Sequence, residues 1–120
     1  MLPGSRRVLV VEDDEVLRDF LSTVLAGEGY ETRLASEGRQ ALAVLGQWRP
    51  DLILLDLVMR DMDGWTFRAE QRLNGYADTP VLVLTAAGDP GVHARALAAP
   101  VLSKPFELDQ FLREVERLLG

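Results

Sequence analysis

Residues able to take part in chemistry stand directly after four aliphatic runs of the chain. These residues are the acidic pair Glu12-Asp13 after VLVV, Asp56 after LILL, Thr85 after VLVL and Lys104 after VLS. An acidic pair suits a divalent cation, a carboxylate can act as a nucleophile, and a hydroxyl and an ammonium can bind phosphoryl oxygens. Together they are the parts needed to place a phosphoryl group on a carboxylate oxygen, with Mg²⁺ bridging the carboxylates and the phosphoryl oxygens.

Each residue also has a structural interpretation when it is taken alone. Asp56 could hydrogen-bond its own backbone at the start of a loop. Thr85 could be an ordinary strand residue, and Lys104 an ordinary solvated side chain. Lys104 is followed by Pro105, however, and a cis X-Pro bond would fix the direction of the preceding side chain.

The acidic cluster after the first aliphatic run needs two explanations. Asp14 and Glu15 suit the cap and the first turn of a helix, where carboxylates interact favourably with the helix dipole. A helix N-terminus ordinarily attracts anions, so placing several carboxylates there suggests that Asp13 helps to hold a divalent cation.

Strands and helices alternate along the chain. Aliphatic runs predict strands over 7–11, 52–55, 81–85 and 101–103, and residues 31–35 are predicted to form a short second strand. Apolar residues at helical spacing predict a helix after each strand. Asp89 and Pro90 are predicted to start the fourth helix, which is expected to run through Ala98. This alternation predicts an α/β fold with a doubly wound parallel sheet, whose strand ends share one edge.

Composition limits the classes of function. The chain has 120 residues, of which 48% are hydrophobic and 27% charged, as expected of one folded domain. A net charge of −6 without a long basic run argues against direct binding to nucleic acid or to anionic membranes. The chain has no Cys, no signal-peptide pattern and no apolar stretch of roughly 20 residues, so we expect a cytoplasmic protein.

Four motifs, in this order and spacing, resemble the receiver domain of two-component response regulators: VLVVEDDE, DLILLDLVMRDMDG, VLVLTA and SKPFELDQFL. Each motif alone is weak evidence, whereas four in register are specific and cover essentially the whole chain. The resemblance implies a flavodoxin-like (βα)5 fold with the strand order 2-1-3-4-5. It also implies a single domain over residues 1–120, in which residues 1–6 are expected to form a flexible N-terminal extension.

The resemblance implies that Asp56 accepts a phosphoryl group from a histidine kinase or a phosphotransfer protein. Asp13, Asp56 and the backbone carbonyl of Val58 would bind Mg²⁺ or Mn²⁺, and Glu12 would contact the ion through water. The domain would be no enzyme toward a separate substrate, because it would catalyse only its own phosphorylation and slow dephosphorylation.

Further roles implied by the resemblance concern the phosphoryl group. Thr85 would be the hydroxyl that moves to the phosphoryl group, and Ala86 the small residue that leaves room for it. Lys104 would pair with the phosphoryl oxygens and precede a cis Pro105. Val58 and Ala87 occupy positions that influence hydrolysis in the family, and neither side chain can hydrogen-bond an attacking water.

Three features depart from the family pattern. Arg60 stands where Pro is usual, Val101 stands where an aromatic residue is common, and the segment from Thr85 to Lys104 is short. These differences leave the chemistry at Asp56 untouched and concern the readout of phosphorylation. Nearby, Trp65 is interpreted as a residue that covers a helix, and His93 as a solvated helix residue.

The resemblance places an output domain or a protein partner on the exposed face of the last two strand–helix units, and it allows a homodimer. One alternative is a pseudo-receiver that binds a partner without phosphorylation. A phosphatase of the haloacid dehalogenase type would need an Asp at the position of Val58. A flavodoxin-like flavin binder would need a phosphate-binding loop where the chain has Glu12-Asp13-Asp14.

Overall fold

Strands and helices alternate along residues 5–120, which the computed structural model describes. The strands are β1 (Arg7–Val11), β2 (Glu31–Ala35), β3 (Leu52–Leu55), β4 (Val81–Thr85) and β5 (Val101–Ser103). The helices are α1 (Glu15–Gly27), α2 (Gly38–Leu45), α3 (Gly64–Leu73), α4 (Pro90–Leu97) and α5 (Leu108–Leu119). All strand pairs are parallel and the order is β2-β1-β3-β4-β5, so the predicted fold and strand order are confirmed.

The first strand begins close to the predicted N-terminal extension. Residues 1–4 of that extension lie outside the described residues. The carbonyl of Arg6 accepts a hydrogen bond of 2.9 Å from the N–H of Glu31, next to the Arg7–Glu31 register pair. Backbone pairing with β2 therefore starts at Arg6.

The sheet separates two hydrophobic clusters. One face packs against α2, α3 and α4 and includes Leu9, Val11, Ile53, Leu55, Ala41, Leu45, Phe67 and Leu97. The other face packs against α1 and α5 and includes Val8, Val10, Leu52, Leu54, Leu21, Leu25, Phe111 and Val115. Successive strand residues point to opposite faces, so strands covered on both sides must be aliphatic at every position. This requirement explains the uninterrupted runs in β1, β3 and β4.

The helix boundaries follow the predicted caps with one difference. The side chain of Asp14 accepts hydrogen bonds from the N–H groups of Val16 and Leu17, and Asp89 caps α4, in which Pro90 is the first residue. Ala98, predicted to be helical, instead adopts a left-handed conformation (φ 52°) and ends α4. The helix prediction was therefore one residue too long. No helix within residues 5–120 has the length and apolarity needed to cross a membrane.

A buried polar network connects α3 to the end of α4. The guanidinium of Arg68, a residue only 8% exposed, donates to the carbonyls of Leu97 (3.1 Å) and Ala98 (3.2 Å) and to the side-chain oxygen of Gln71 (2.9 Å). Gln71 in turn donates to the carbonyl of Thr79. Burial lowers the pKa of Arg68, and the charge of Arg72 acts in the same direction. The negative end of the α4 dipole is the compensating partner of the guanidinium.

We expect Arg68→Ala to destabilise the domain by about 2–3 kcal/mol, because it leaves buried carbonyls without donors and opens a cavity. Arg72→Ala, on the exposed side of the same helix, is the matched control and should change the free energy of unfolding by less than about 0.5 kcal/mol. Urea unfolding of both variants measures the difference. Equal losses of unfolding free energy in the two variants would contradict a stabilising role for the hydrogen bonds of Arg68 with the end of α4.

Candidate functional site

The carboxyl edge of the sheet carries an open cavity of about 470 Å³. Its lining residues are Glu12, Asp13, Asp14, Asp56, Val58, Ala86, Ala87 and Lys104. Backbone hydrogen bonds continue one residue beyond the strands, from Asp56 N–H to the Val11 carbonyl (3.1 Å) and from Lys104 N–H to the Thr85 carbonyl (2.8 Å). These bonds explain how residues far apart in sequence come to share one cavity.

Asp56 is 7% exposed, and each of its carboxylate oxygens has a donor. Oδ1 accepts the N–H of Val58 at 3.2 Å, and Oδ2 lies 3.3 Å from Nζ of Lys104. Asp56 therefore does hydrogen-bond its own loop, as the structural interpretation of this residue predicted. This contact uses only one oxygen and is compatible with a chemical role for the carboxylate. The loop fixes one oxygen of Asp56 and Lys104 contacts the other.

Lys104 is the only lysine in the chain, and it bridges two strand ends. Its Nζ lies 2.6 Å from Oε1 of Glu12, which is a shorter contact than that to Asp56. The Lys104–Pro105 peptide bond, predicted to be cis, is cis. Lys104 thus contacts two carboxylates of the site, in contrast to the alternative interpretation of an ordinary solvated side chain.

Three carboxylates face this single ammonium. Oxygens of Glu12, Asp13 and Asp56 all lie within 4.8 Å of one another. Such a set of hard oxygen ligands with excess negative charge fits Mg²⁺ or Mn²⁺. Val58, whose carbonyl is the predicted metal ligand, lines the same cavity. Its N–H donates a hydrogen bond to Oδ1 of Asp56.

Burial and charge act on the ionisation of two of these groups. Burial raises the pKa of Glu12 and the charge of Asp56 adds to the effect, while the hydrogen bond from Lys104 opposes it. Burial alone would lower the pKa of Lys104, but its contacts with Glu12 and Asp56 outweigh burial and raise that pKa. Lys104 therefore stays charged throughout the neutral range.

We expect Lys104→Met to destabilise the metal-free domain by about 1–3 kcal/mol near neutral pH, because Glu12 and Asp56 then lack a cation. A raised pKa means that the contribution of Lys104 is present below the unfolded value of 10.5 and is lost as pH rises through the folded value. The difference in unfolding free energy between wild type and variant should therefore shrink above about pH 10.5. Denaturant unfolding at several pH values with a chelator measures it, and a difference that does not change with pH would contradict this account.

Thr85 lies next to Ala86 and Ala87, which line the cavity. Thr85 is 2% exposed, and its Oγ1 accepts a hydrogen bond of 3.1 Å from the N–H of Ala87. Ala86 is exposed at the cavity wall, where a small side chain leaves space beside Asp56. The hydroxyl is thus near the site and directed at the following turn.

The loop after Asp56 depends on a glycine. A Cβ on Gly64 would lie 2.7 Å from Cα of Leu57 and would also meet the carbonyl oxygen of Asp56. The N–H of Gly64 donates to the Leu57 carbonyl at 3.0 Å, which closes the loop against β3. Arg60 is exposed on this loop, and Asp63 caps α3 by accepting a hydrogen bond from the N–H of Thr66.

Two residues near the site have contacts that were not predicted from the sequence. Nη1 of Arg18 donates to the carbonyl of Glu12 at 2.8 Å and supports the chain at the cavity. His93, predicted to be solvated, is half-buried: its Nε2 lies 2.8 Å from the Ala87 carbonyl and its ring contacts Trp65. Arg18 lies one helical turn after Asp14, a spacing that brings its side chain to the start of α1, where it contacts the carbonyls of Glu12 and Asp13. Nothing in the sequence near His93 indicated its contact with the turn.

A parallel five-stranded sheet with three carboxylates and a lysine at its carboxyl edge defines the class of receiver domains. The family model for the response regulator receiver domain matches residues 8–116, so this chain belongs to that family. Membership confirms the resemblance identified from the sequence motifs, and it supports a place in two-component signalling.

Among curated relatives, the response regulator MprA of Mycolicibacterium vanbaalenii is 38% identical over 116 residues. The aligned part covers 94% of this chain and 50% of MprA. The regulatory protein AtoC of Escherichia coli is 37% identical over 116 residues, which cover 94% of this chain and 25% of AtoC. The chain therefore spans about half or less of the length of these relatives.

Solved structures agree with this assignment. The chemotaxis protein CheY4 of Vibrio cholerae superposes with a TM-score of 0.86 at 34% identity, covering 96% of this chain and 99% of CheY4. The response regulator protein TrrA of Thermotoga maritima, solved in complex with Mg²⁺-BeF, has a TM-score of 0.84 at 31% identity. That match covers 94% of this chain and 98% of TrrA.

Proposed function

We propose that this domain accepts a phosphoryl group on Asp56 from a histidine kinase or a phosphotransfer protein, and that the aspartyl phosphate switches its interactions. The observation that carries this proposal is the position of Asp56. Its carboxylate lies in an open cavity between two further carboxylates and one ammonium, with an oxygen in contact with Lys104. The donors named are those expected for a receiver domain in two-component signalling.

In the proposed reaction, an oxygen of Asp56 attacks the phosphorus atom in line with the P–N bond of a donor phosphohistidine. A P–O bond to Asp56 forms, the P–N bond breaks, and its electron pair returns to the donor imidazole. The N–H of Val58 holds Oδ1 of Asp56 in place. Positioning of this kind and charge stabilisation provide most of the catalysis in phosphoryl transfer.

Lys104 and Thr85 would bind the transferred group. Lys104 already contacts Oδ2 of Asp56, so its ammonium is placed to pair with phosphoryl oxygens on that carboxylate. The Thr85 hydroxyl would reach the group by moving past Ala86, whose small side chain leaves the space. A divalent cation held by Asp13, Asp56 and the Val58 carbonyl, with Glu12 contacting it through water, would supply positive charge for the phosphoryl oxygens.

The domain would act on no separate substrate, because the acceptor is its own side chain. Its output would pass to a domain or protein, or to a second copy of the chain, on the face formed by β4, α4, β5 and α5. MprA and AtoC are both longer than the aligned segment, which is compatible with a linked output domain. We place this signalling in the cytoplasm, in keeping with the absence of Cys.

Beryllofluoride, an analogue of the phosphoryl group, should bind in the presence of Mg²⁺ and fail to bind to Asp56→Asn, which lacks the anionic acceptor oxygen. Fluorine NMR of the protein-bound ligand measures this directly. Asp51→Asn, a carboxylate at the opposite end of β3, is the matched control and should bind as wild type does. Absence of binding to wild type would favour the alternative of a phosphorylation-independent interaction module.

We further propose that the aspartyl phosphate of this domain is long-lived. Val58 is 63% exposed at the cavity rim and Ala87 lines the cavity, so both stand where water must approach Asp56. Neither side chain can orient that water, and orientation of the nucleophile is a large part of phosphoryl hydrolysis.

Val58→Asn should shorten the lifetime about tenfold, the effect of a hydrogen bond that lowers the barrier by about 1.4 kcal/mol. Val58→Leu, which adds no polar group, is the control and should decay as wild type does. The decay of protein phosphorylated with acetyl phosphate is followed after removal of the donor. Equal lifetimes in wild type and Val58→Asn would refute this role of the position.

A further inference from the structure

The turn between β4 and α4 is held by an imidazole from the first turn of α4. Nε2 of His93 lies 2.8 Å from the carbonyl oxygen of Ala87. A carbonyl can only accept, so Nε2 carries the hydrogen. The other ring nitrogen, Nδ1, is buried and has no hydrogen-bond partner within the described part of the chain. The Ala87 carbonyl is therefore the polar anchor of the ring.

The backbone of this turn is shaped to receive the ring. Gly88 has φ +68°, a conformation that residues with a Cβ rarely adopt. A Cβ at Gly88 would meet Nε2 of His93 and would lie 3.0 Å from its Cε1. The glycine thus supplies both the backbone conformation and the space that the imidazole occupies.

Ala87 is also bound from the side of the cavity. Its N–H donates to Oγ1 of Thr85 at 3.1 Å, while its carbonyl accepts from His93. One residue of the turn therefore connects the hydroxyl beneath the cavity to the imidazole on α4. A displacement of Ala87 relative to Thr85 or to His93 changes one of these two hydrogen bonds.

The connection continues to the protein surface at α3. The rings of His93 and Trp65 meet edge to face, with centroids 4.9 Å apart and planes inclined by 64°. Trp65 is 39% exposed and lies in the first turn of α3. Val101, in contrast, is an aliphatic side chain packed against the core and offers no hydrogen-bonding group to Thr85.

We propose that His93 is a positioning residue that transmits the state of Thr85, through Ala87, to Trp65 on the exposed α3–α4 surface. The inference rests on the proposed function, since it requires a phosphoryl group that attracts the Thr85 hydroxyl. Thr85 is 2% exposed and is not among the residues that line the cavity, so its hydroxyl must move to reach such a group. If the hydroxyl moves alone, its hydrogen bond with Ala87 changes; if Ala87 moves with it, the hydrogen bond between Ala87 and His93 changes, and His93 conveys that change to the Trp65 ring.

The test uses the full chain with Mg²⁺ and beryllofluoride. Trp48→Phe serves as the background so that Trp65 is the sole tryptophan; Trp48 lies at the opposite end of the sheet, against Arg7 and Arg33. In this background, beryllofluoride should change the Trp65 emission. Binding itself is followed separately by fluorine NMR, which does not depend on tryptophan.

His93→Phe keeps an aromatic ring beside Trp65 and removes the donor to Ala87. It should retain beryllofluoride binding and lose the emission change. His93→Gln keeps an N–H donor on a flexible side chain and should retain a response, and Arg95→Ala, exposed on the same helix, should behave as the background does. Retained binding in each variant also shows that it is folded.

The outcomes separate the two proposals. Binding without any Trp65 response in the background, or an unchanged response in His93→Phe, overturns the role of His93 and leaves Asp56 as the acceptor. Failure of the background protein to bind beryllofluoride overturns the proposed function, and the inference with it. Binding in every variant, with the response lost only in His93→Phe, supports the inference.

Discussion

Repulsion among three carboxylates, offset by one ammonium, is the constraint on which this domain depends. Glu12, Asp13 and Asp56 bring their oxygens within 4.8 Å of one another, and the Lys104 ammonium contacts two of them. Like charges at this distance destabilise the folded state unless a cation compensates them. Repulsion of this kind lowers the stability of the resting domain, and a divalent cation bound among the carboxylates would relieve it.

The fold supplies the rigidity that such a site requires. Asp56 and Glu12 follow β3 and β1, adjacent strands buried on both faces, so their backbones cannot relax apart without disrupting the core. Lys104 follows β5 and is tied to β4 through the Thr85 carbonyl. The turn between β4 and α4 is held differently, through the hydrogen bonds of Ala87 with Thr85 and His93.

Much of this structure could be predicted from the sequence, because aliphatic runs and caps are local signals. The run Leu52–Leu55 has no polar alternation, which indicates a strand covered on both faces, and Asp14 and Asp89 mark their helices by side-chain chemistry. The site at the carboxyl edge follows from the parallel sheet, and the motifs then identify the family.

The contacts that were missed depend on tertiary structure. Arg68 and Gln71 are residue types found mostly at the surface, and only the position of the α4 carboxyl end makes them a buried network. His93 was predicted to be solvated because helical position alone does not reveal a turn that folds back against the helix. The left-handed conformation of Ala98, whose carbonyl accepts a hydrogen bond from Arg68, likewise could not be predicted from the local sequence.

The proposed function requires the carboxylate of Asp56 to be the phosphoryl acceptor. Incubating the domain with acetyl phosphate and Mg²⁺, measuring the intact mass and mapping the modified residue by peptide mass spectrometry tests this requirement. We expect a single phosphoryl group located on Asp56, and none on the Asp56→Asn variant. An unchanged mass, or a phosphoryl group on another residue, would contradict it.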